Sequence, residues 1–243
     1  MFPLRDENPT ESLPVVTVLI IGLNVAVWLF VQQAGVGQSF VDSLCRFGAI
    51  PGEITGMLRE GQAVRLGPYP CPVGGLRWET VLTSMFLHGG WMHLIGNMWF
   101  LWVFGNNIED AMGHLRYLLF YLLAGAFAAA AHILSAASSP VPTVGASGAI
   151  SGIMGAYLVL YPRVRVDTLL FFFVFIRVIP LPAWVLLGYW FLLQVLMGAS
   201  GPGAAGGVAV WAHVGGFVTG VLLIRWFARA RLLPRGRRGM TIR

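Results

Sequence analysis

Residues 145–155 read GASGAISGIMG, and the apolar run AYLVLY carries the segment on to Tyr161. Ser147 stands at the mouth of this hydrophobic stretch, and small residues recur behind it at helical spacing: Gly148, Ser151, Gly152 and Gly155. In a membrane helix such residues let a neighbouring backbone come close. A serine beside a close-packed seam can serve as a nucleophile when a base arrives from the partner helix. About 60 residues later, WAHVGGFVTG sets His213, Gly216 and Gly220 on one helix face by their i, i+3, i+7 spacing. One glycine seam carries a serine and the other a histidine.

The surrounding composition says where such seams would lie. Of 243 residues, 57% are hydrophobic and only 11% are charged, whereas roughly a quarter are charged in a water-soluble globule. Disorder and a soluble globule are both excluded, and the chain reads as one polytopic membrane domain with short polar ends. The 13 residues before the first apolar run end in an acidic patch (Asp6, Glu7, Glu11), and no small-residue cleavage site follows that run. The run is therefore read as a retained span rather than a signal peptide. Net charge is +6 with no lysine, and seven of the sixteen arginines lie from Arg225 onward. Directly after an apolar span, such a tail marks the cytoplasmic side rather than a nucleic-acid partner.

Six spans are expected, at about 14–31, 91–106, 117–134, 147–161, 183–197 and 208–226. Residues 1–13 form an N-terminal segment, 14–229 the membrane domain and 230–243 a basic tail. Residues 32–89 are too polar to span and too long for a simple connector, so they read as an ordered outer lid or interfacial unit. NNIEDAMGHLR, from Asn106 to Arg116, reads as a polar turn. LLFFFVFIRVIPLP, from Leu169 to Pro182, is too short to cross ~30 Å of hydrocarbon before Arg177 and reads as interfacial or partly re-entrant. An even number of spans puts both termini on one side, with twelve arginines there against four on the other. That imbalance obeys the positive-inside rule, so both ends are expected in the cytoplasm. Cys45 and Cys71 then share the oxidising side, where a disulfide between them is possible. They form no metal-ligand pattern.

The same topology brings the starts of spans two, four and six to the outer side, so His93, Ser147 and His213 fall at related depths. Ionisable and amide side chains inside a span are functional candidates. Taken singly, each also has a plain reading: small residues around Ser147 for helix packing, His213 and Asn97 as interhelical hydrogen-bond partners, His88 as a loop-ordering residue. In FLHGGWMHLIGN, His93 and Asn97 are i, i+4 neighbours on one face, with His88 just ahead. Their N–H groups, with the backbone N–H of Ser147, are the donors a hydrolase needs at a developing oxyanion. Among five histidines only His88 and His93 are close in sequence, and no HExxH occurs, so no metal site is expected.

Three blocks together, HGGWMHLIGN with FGNNIEDAMG, then GASGAISG, then AHVGGFVTG, resemble the rhomboid family of intramembrane serine proteases in order and spacing. The likeness runs from about Trp78 to Ile224. It implies an all-α, six-transmembrane-helix bundle with a large first loop. It also implies a Ser147–His213 dyad with no carboxylate, and His93 and Asn97 as oxyanion-stabilising side chains. Gly145, Gly148, Gly216, Gly220, His88 and Glu109 are structural positions near the site, with Glu109 and Gly113 matching a turn after span two. Single-span transmembrane proteins are the implied substrates, the lipid bilayer the medium, and no cofactor is implied. Four residues after the nucleophile some members carry a tyrosine that stacks on the histidine. Here the position is Ser151, so Trp211 or another ring is expected in its place. The Arg77–Trp78 pair also departs in order from the family's Trp-Arg. The short termini suit a bacterial cytoplasmic (inner) membrane, with the active site opening outward. Two other classes fit an apolar chain with buried polar groups: a catalytically inactive relative that binds membrane-protein clients, which loss of Ser147 or His213 would favour, and a solute transporter, which internal repeats would favour.

Overall fold

The computed structural model describes residues 1–172, 175–201 and 208–229. The basic tail, 230–243, and the middle of the glycine-rich stretch before span six lie outside the described residues.

The chain begins with strand β1 (Phe2–Asp6) and helix α1 (Val15–Ala26), which a π-turn extends to Val31. The segment expected on the outer side follows, here called the outer segment: α2 (Gly37–Phe47), α3 (Pro51–Ile54), the hairpin β2 (Ala63–Leu66) and β3 (Tyr69–Pro72), and α4 (Thr80–Thr83). Then come α5 (Trp91–Met112), α6 (His114–Ser135) and α7 (Ser147–Leu160), the hairpin β4 (Arg165–Phe172) and β5 (Phe175–Pro182), and finally α8 (Ala183–Ala199) and α9 (Val210–Phe227). α6 and α9 are by themselves long and apolar enough to cross a membrane, while α1 with its π-turn, α7 and α8 are shorter apolar helices. The fold is helical in the main, but two small sheets qualify the all-α expectation.

α7 is the axis of the bundle. Its residues from Gly148 to Tyr157 are all buried, against α5, α6, α8 and α9. A Cβ at Gly216 would overlap the carbonyl oxygen of Gly148, and one at Gly220 that of Gly152. Lacking side chains there, α7 and α9 meet backbone to backbone, the close approach that small residues permit in membrane helices. Phe104, Tyr117, Phe120, Tyr121, Ile153 and Tyr157 fill the core around this seam.

Two segments differ from the sequence reading. The polar stretch from Asn106 to Met112 stays helical and belongs to α5; the chain breaks only at Gly113, whose φ of +84° lies in the left-handed region that favours glycine. Glu109 is polar for another reason than turning the chain. Fully buried, it accepts the N–H of Val16 (2.8 Å), the N–H of Thr17 (2.8 Å) and the Thr17 hydroxyl (2.7 Å), capping the open N-terminus of α1. His114 Nδ1 lies 2.6 Å from Oε1, the oxygen that also accepts the Val16 N–H.

The second difference is LLFFFVFIRVIPLP, which forms most of the β4–β5 hairpin rather than a re-entrant segment. Its run of β-branched and aromatic residues favours strand, and Pro180 and Pro182 lie on β5, an edge strand that need not donate at those positions. β1 adds to the other side of β4, so the N-terminal segment is the third strand of the sheet. Asp6 anchors it, accepting from Asn107 Nδ2 (2.8 Å) and from the Tyr157 hydroxyl.

The sheet lies at the C-terminal end of α7, and the outer segment at the N-terminal end. There Ala49 bridges to Thr143, and the Gly52 N–H donates to Ser139 O (2.9 Å). Cys45 and Cys71 are disulfide-bonded with a Cα–Cα distance of 5.5 Å, beside Val41 and Ile50. Arg77, despite its altered neighbour order, anchors this segment: it bonds buried Glu53 (2.6 Å) and donates to the carbonyls of Cys45 (2.8 Å) and Arg46 (3.0 Å).

Candidate active site

Gly145 delivers the chain into α7. Its φ is +127°, its N–H donates to Ser84 O (2.9 Å), and a Cβ there would sit 2.8 Å from Cε1 and Nε2 of His93. Only glycine takes that backbone and leaves room for the imidazole. Ser147 follows as the first residue of α7, where helical N–H groups have no acceptor within the helix. His213 lies in the first turn of α9, directly across the seam, with Nε2 2.8 Å from Ser147 Oγ.

His93 and Asn97 rise from the first two turns of α5 into the same cleft. The Gly89 N–H donates to His93 Nδ1 (3.2 Å). Nδ1 is therefore the acceptor, and in a neutral ring the proton sits on Nε2, the nitrogen beside Gly145. Asn97 is buried, and its Nδ2 has no hydrogen-bond partner among the described residues, so its N–H groups are candidates to meet a ligand. The cleft has a volume of about 1190 Å³, above the ~300–1,000 Å³ of small-molecule pockets. Leu44 and Leu66 of the outer segment reach its rim.

His88 is not in the cleft. Fully buried, it sets its ring against that of His93 at 5.2 Å, and burial, then the neighbouring His93, push its pKa down to about 3. Its backbone is clamped by Gln32, whose Oε1 accepts the His88 N–H (2.7 Å) and whose Nε2 donates to His88 O (2.8 Å). Glu109 lies at the opposite end of α5, capping α1, and Cys45 and Cys71 lie in the outer segment.

A model of the Rhomboid domain matches residues 76–230. The chain belongs to the rhomboid family. That family has a helical membrane fold. The rhomboid protease GluP of Bacillus subtilis is 34% identical over 145 residues, covering 60% of this chain and 24% of its own length. Rhomboid-like protease 5 of Toxoplasma gondii is 36% identical over 147 residues, 58% of this chain and 15% of its own. Rhomboid protein 1, mitochondrial, of Saccharomyces cerevisiae is 32% identical over 164 residues, 65% and 44%. This rhomboid chain thus spans less than half the length of each of these relatives.

The ring against His213 in this rhomboid is Trp190 of α8, centroid to centroid 5.7 Å and tilted by 37°. Trp211 instead covers Gly198. One turn beyond Trp190, Gln194 places Oε1 2.9 Å from His213 Nδ1. Reading the sequence singled out neither residue. A signal existed, since Gln194 is an amide in an otherwise apolar helix, the same reasoning that drew attention to Asn97. In the sequence Gln32 reads only as the first residue of a polar loop.

Proposed function

We propose that this rhomboid is an intramembrane serine endopeptidase that cleaves the transmembrane helices of single-span membrane proteins. The observation that carries the reading is the 2.8 Å contact between Ser147 Oγ and His213 Nε2, made across a seam of glycines. As Ser147 Oγ bonds to the scissile carbonyl carbon, its proton passes to His213 Nε2. The carbonyl oxygen takes the negative charge, facing the His93 Nε2–H, an Asn97 Nδ2–H and the Ser147 N–H. Collapse breaks the C–N bond, and His213 returns the proton to the leaving amine. Water then repeats the sequence on the acyl-enzyme.

In this reading α1 and α5 to α9 cross a bacterial cytoplasmic membrane with both termini inside. The cleft and the Cys45–Cys71 segment then face the outer side. Carbonyls of a substrate helix are already hydrogen-bonded in the bilayer, so scission requires a helix that unwinds near that face. The chemistry needs no cofactor. A client-binding, inactive relative has no need of a serine–histidine contact at hydrogen-bond distance, which is why the catalytic reading is preferred.

The test is cleavage of a labelled transmembrane substrate by the purified parent, Ser147→Ala and His213→Ala, with a fluorophosphonate probe as a substrate-independent readout. Cleavage and labelling by the parent, lost in both variants at unchanged melting temperature, are expected. Cleavage that persists in Ser147→Ala, or a parent that neither cleaves nor labels, defeats the assignment.

A further inference from the structure

We infer that Gln194 is a third member of the site, a positioning residue that sets the tautomer and orientation of His213 through its side-chain carbonyl. The inference rests on the dyad reading above. For His213 Nε2 to accept the Ser147 proton, the neutral imidazole must carry its own proton on Nδ1. Nδ1 is 2.9 Å from Gln194 Oε1, and Nε2 is 2.8 Å from Ser147 Oγ. With the Gln194 carbonyl oxygen facing Nδ1, a neutral imidazole makes both bonds in one arrangement: the amide oxygen accepts Nδ1–H, and the free lone pair on Nε2 faces the serine hydroxyl. Amide and imidazole orientations are set by such networks, and the opposite pairing would turn Nε2–H toward Ser147 and leave no base.

The placement of Gln194 supports a dedicated role. It belongs to α8, whose buried residues, Ala183, Leu186 and Leu187, are all near its start. Leu192, Leu193 and Leu196 around it are exposed apolar side chains. An amide in such a helix is costly unless partnered, and its side-chain oxygen is directed at His213. Trp190, four residues earlier and so on the same helix face, lies against the same imidazole. Together they hold the ring from one side, Trp190 by contact and Gln194 by hydrogen bond, at a position where Ser151 offers no ring. Ser151 Oγ instead donates to Ser147 O (2.6 Å).

An amide suits this position better than a carboxylate. A carboxylate would be charged in a low-dielectric surrounding even when the histidine is neutral, at a desolvation cost. The amide oxygen is a neutral acceptor. When His213 takes the Ser147 proton, the Gln194 carbonyl dipole faces the imidazolium Nδ1–H and stabilises it, and no proton passes to the glutamine. Ser147 and His213 exchange the proton; Gln194 holds the ring.

The test pairs a spectroscopic readout with kinetics. Parent enzyme labelled with ¹⁵N-histidine is read by imidazole NMR, with the His213 signals assigned by their loss in His213→Ala. The parent is expected to show a protonated Nδ1 and an unprotonated Nε2. Gln194→Met, close in volume and without an acceptor, should show mixed tautomers. It should also lower kcat by about 10- to 100-fold, short of the ~10⁴-fold that the wrong tautomer costs in a carboxylate triad, with KM within about 2-fold. Gln194→Glu keeps an acceptor oxygen and should recover most of the lost kcat. A parent whose His213 is protonated on Nε2, or a Gln194→Met variant with parental tautomer and kcat, overturns the inference. If Gln194→Met does not fold, the parent spectrum and the Gln194→Glu variant still decide it. Failure of the dyad reading itself is a different result: cleavage by Ser147→Ala, whatever the tautomer.

Discussion

Gly220→Ala tests whether the α7–α9 seam holds the proposed catalytic pair in register. A Cβ at Gly220 would lie 2.7 Å from Gly152 C and 2.8 Å from Gly152 Cα, nearer still to the Gly152 carbonyl oxygen, where ordinary contact begins at 3.4 Å. All these atoms are backbone, so no side chain can rotate away and the helices must part. Raising 2.7 Å to 3.4 Å already separates them by about 0.7 Å at this level, a minimum, since the carbonyl oxygen is closer. His213 is seven residues earlier on α9, ~10 Å along the axis at ~1.5 Å per residue. Carried to the site, that displacement would stretch the 2.8 Å Ser147–His213 contact to about 3.5 Å, the edge of hydrogen bonding. Overpacking of this kind costs ~1–3 kcal/mol of stability, and misplacement approaching 1 Å costs ~10²-fold in rate. Thermal unfolding in detergent and the rate of fluorophosphonate labelling at Ser147 measure the two effects, and both should fall. The control is Gly188→Ala on α8, where a Cβ meets nothing and the helix gains roughly 0.5–1 kcal/mol from losing glycine. A Gly220→Ala variant with parental melting temperature and labelling rate would refute the claim that backbone contact sets the proposed dyad.

Asn97→Ala removes a proposed oxyanion donor whose Nδ2 has no partner among the described residues. The expected loss is ~10²–10³-fold in kcat, while thermal unfolding stays near that of the parent; a variant with unchanged kcat removes Asn97 from the oxyanion hole. Glu109→Ala strands the Val16 and Thr17 N–H groups at the start of α1 and leaves the Thr17 hydroxyl with Tyr117 as its remaining partner. At ~1–3 kcal/mol for each orphaned buried group before relaxation, a loss of at least ~2 kcal/mol should appear in denaturant unfolding, and none would show that the cap is dispensable. Asp6 titrates at about 6 in the folded protein, raised from 3.8 chiefly by burial. The folded state therefore binds that proton more tightly than the unfolded state. Its stabilising contribution is complete below about pH 3.8 and lost as pH rises through about 6. Relative to Asp6→Asn, the parent's melting temperature should fall between pH 5 and 7.5; parallel curves would remove Asp6 as the source.

Much of this molecule could be read from its chain because chemistry and bilayer physics restrict local choices. A membrane interior leaves few reasons for serine, histidine and asparagine within apolar runs, so Ser147, His213, His93 and Asn97 stood out, and the glycines beside them located the seam. Helix existence followed from apolar length, with α7 and α8 ending within two residues of expectation. What local sequence could not separate was polarity that turns a chain from polarity that serves a distant element. Glu109 looks like part of a turn until Val16 and Thr17, more than ninety residues away, arrive with their unpaired N–H groups. The segment from Leu169 to Pro182 was read by its length against the bilayer, whereas its side-chain types and the arrival of β1 decide for a sheet. Gln194 and Trp190 are separated from His213 by a glycine-rich connection, and only the docking of α8 against α9 brings them to the imidazole. The sequence by itself determined which candidate groups this protein offers for chemistry and that they lie in apolar helices, because composition and spacing are local. The tertiary structure alone decided which carbonyl faces His213 Nδ1 and which helix end Glu109 caps, because a hydrogen bond requires two groups within about 3 Å and chain order does not encode that distance.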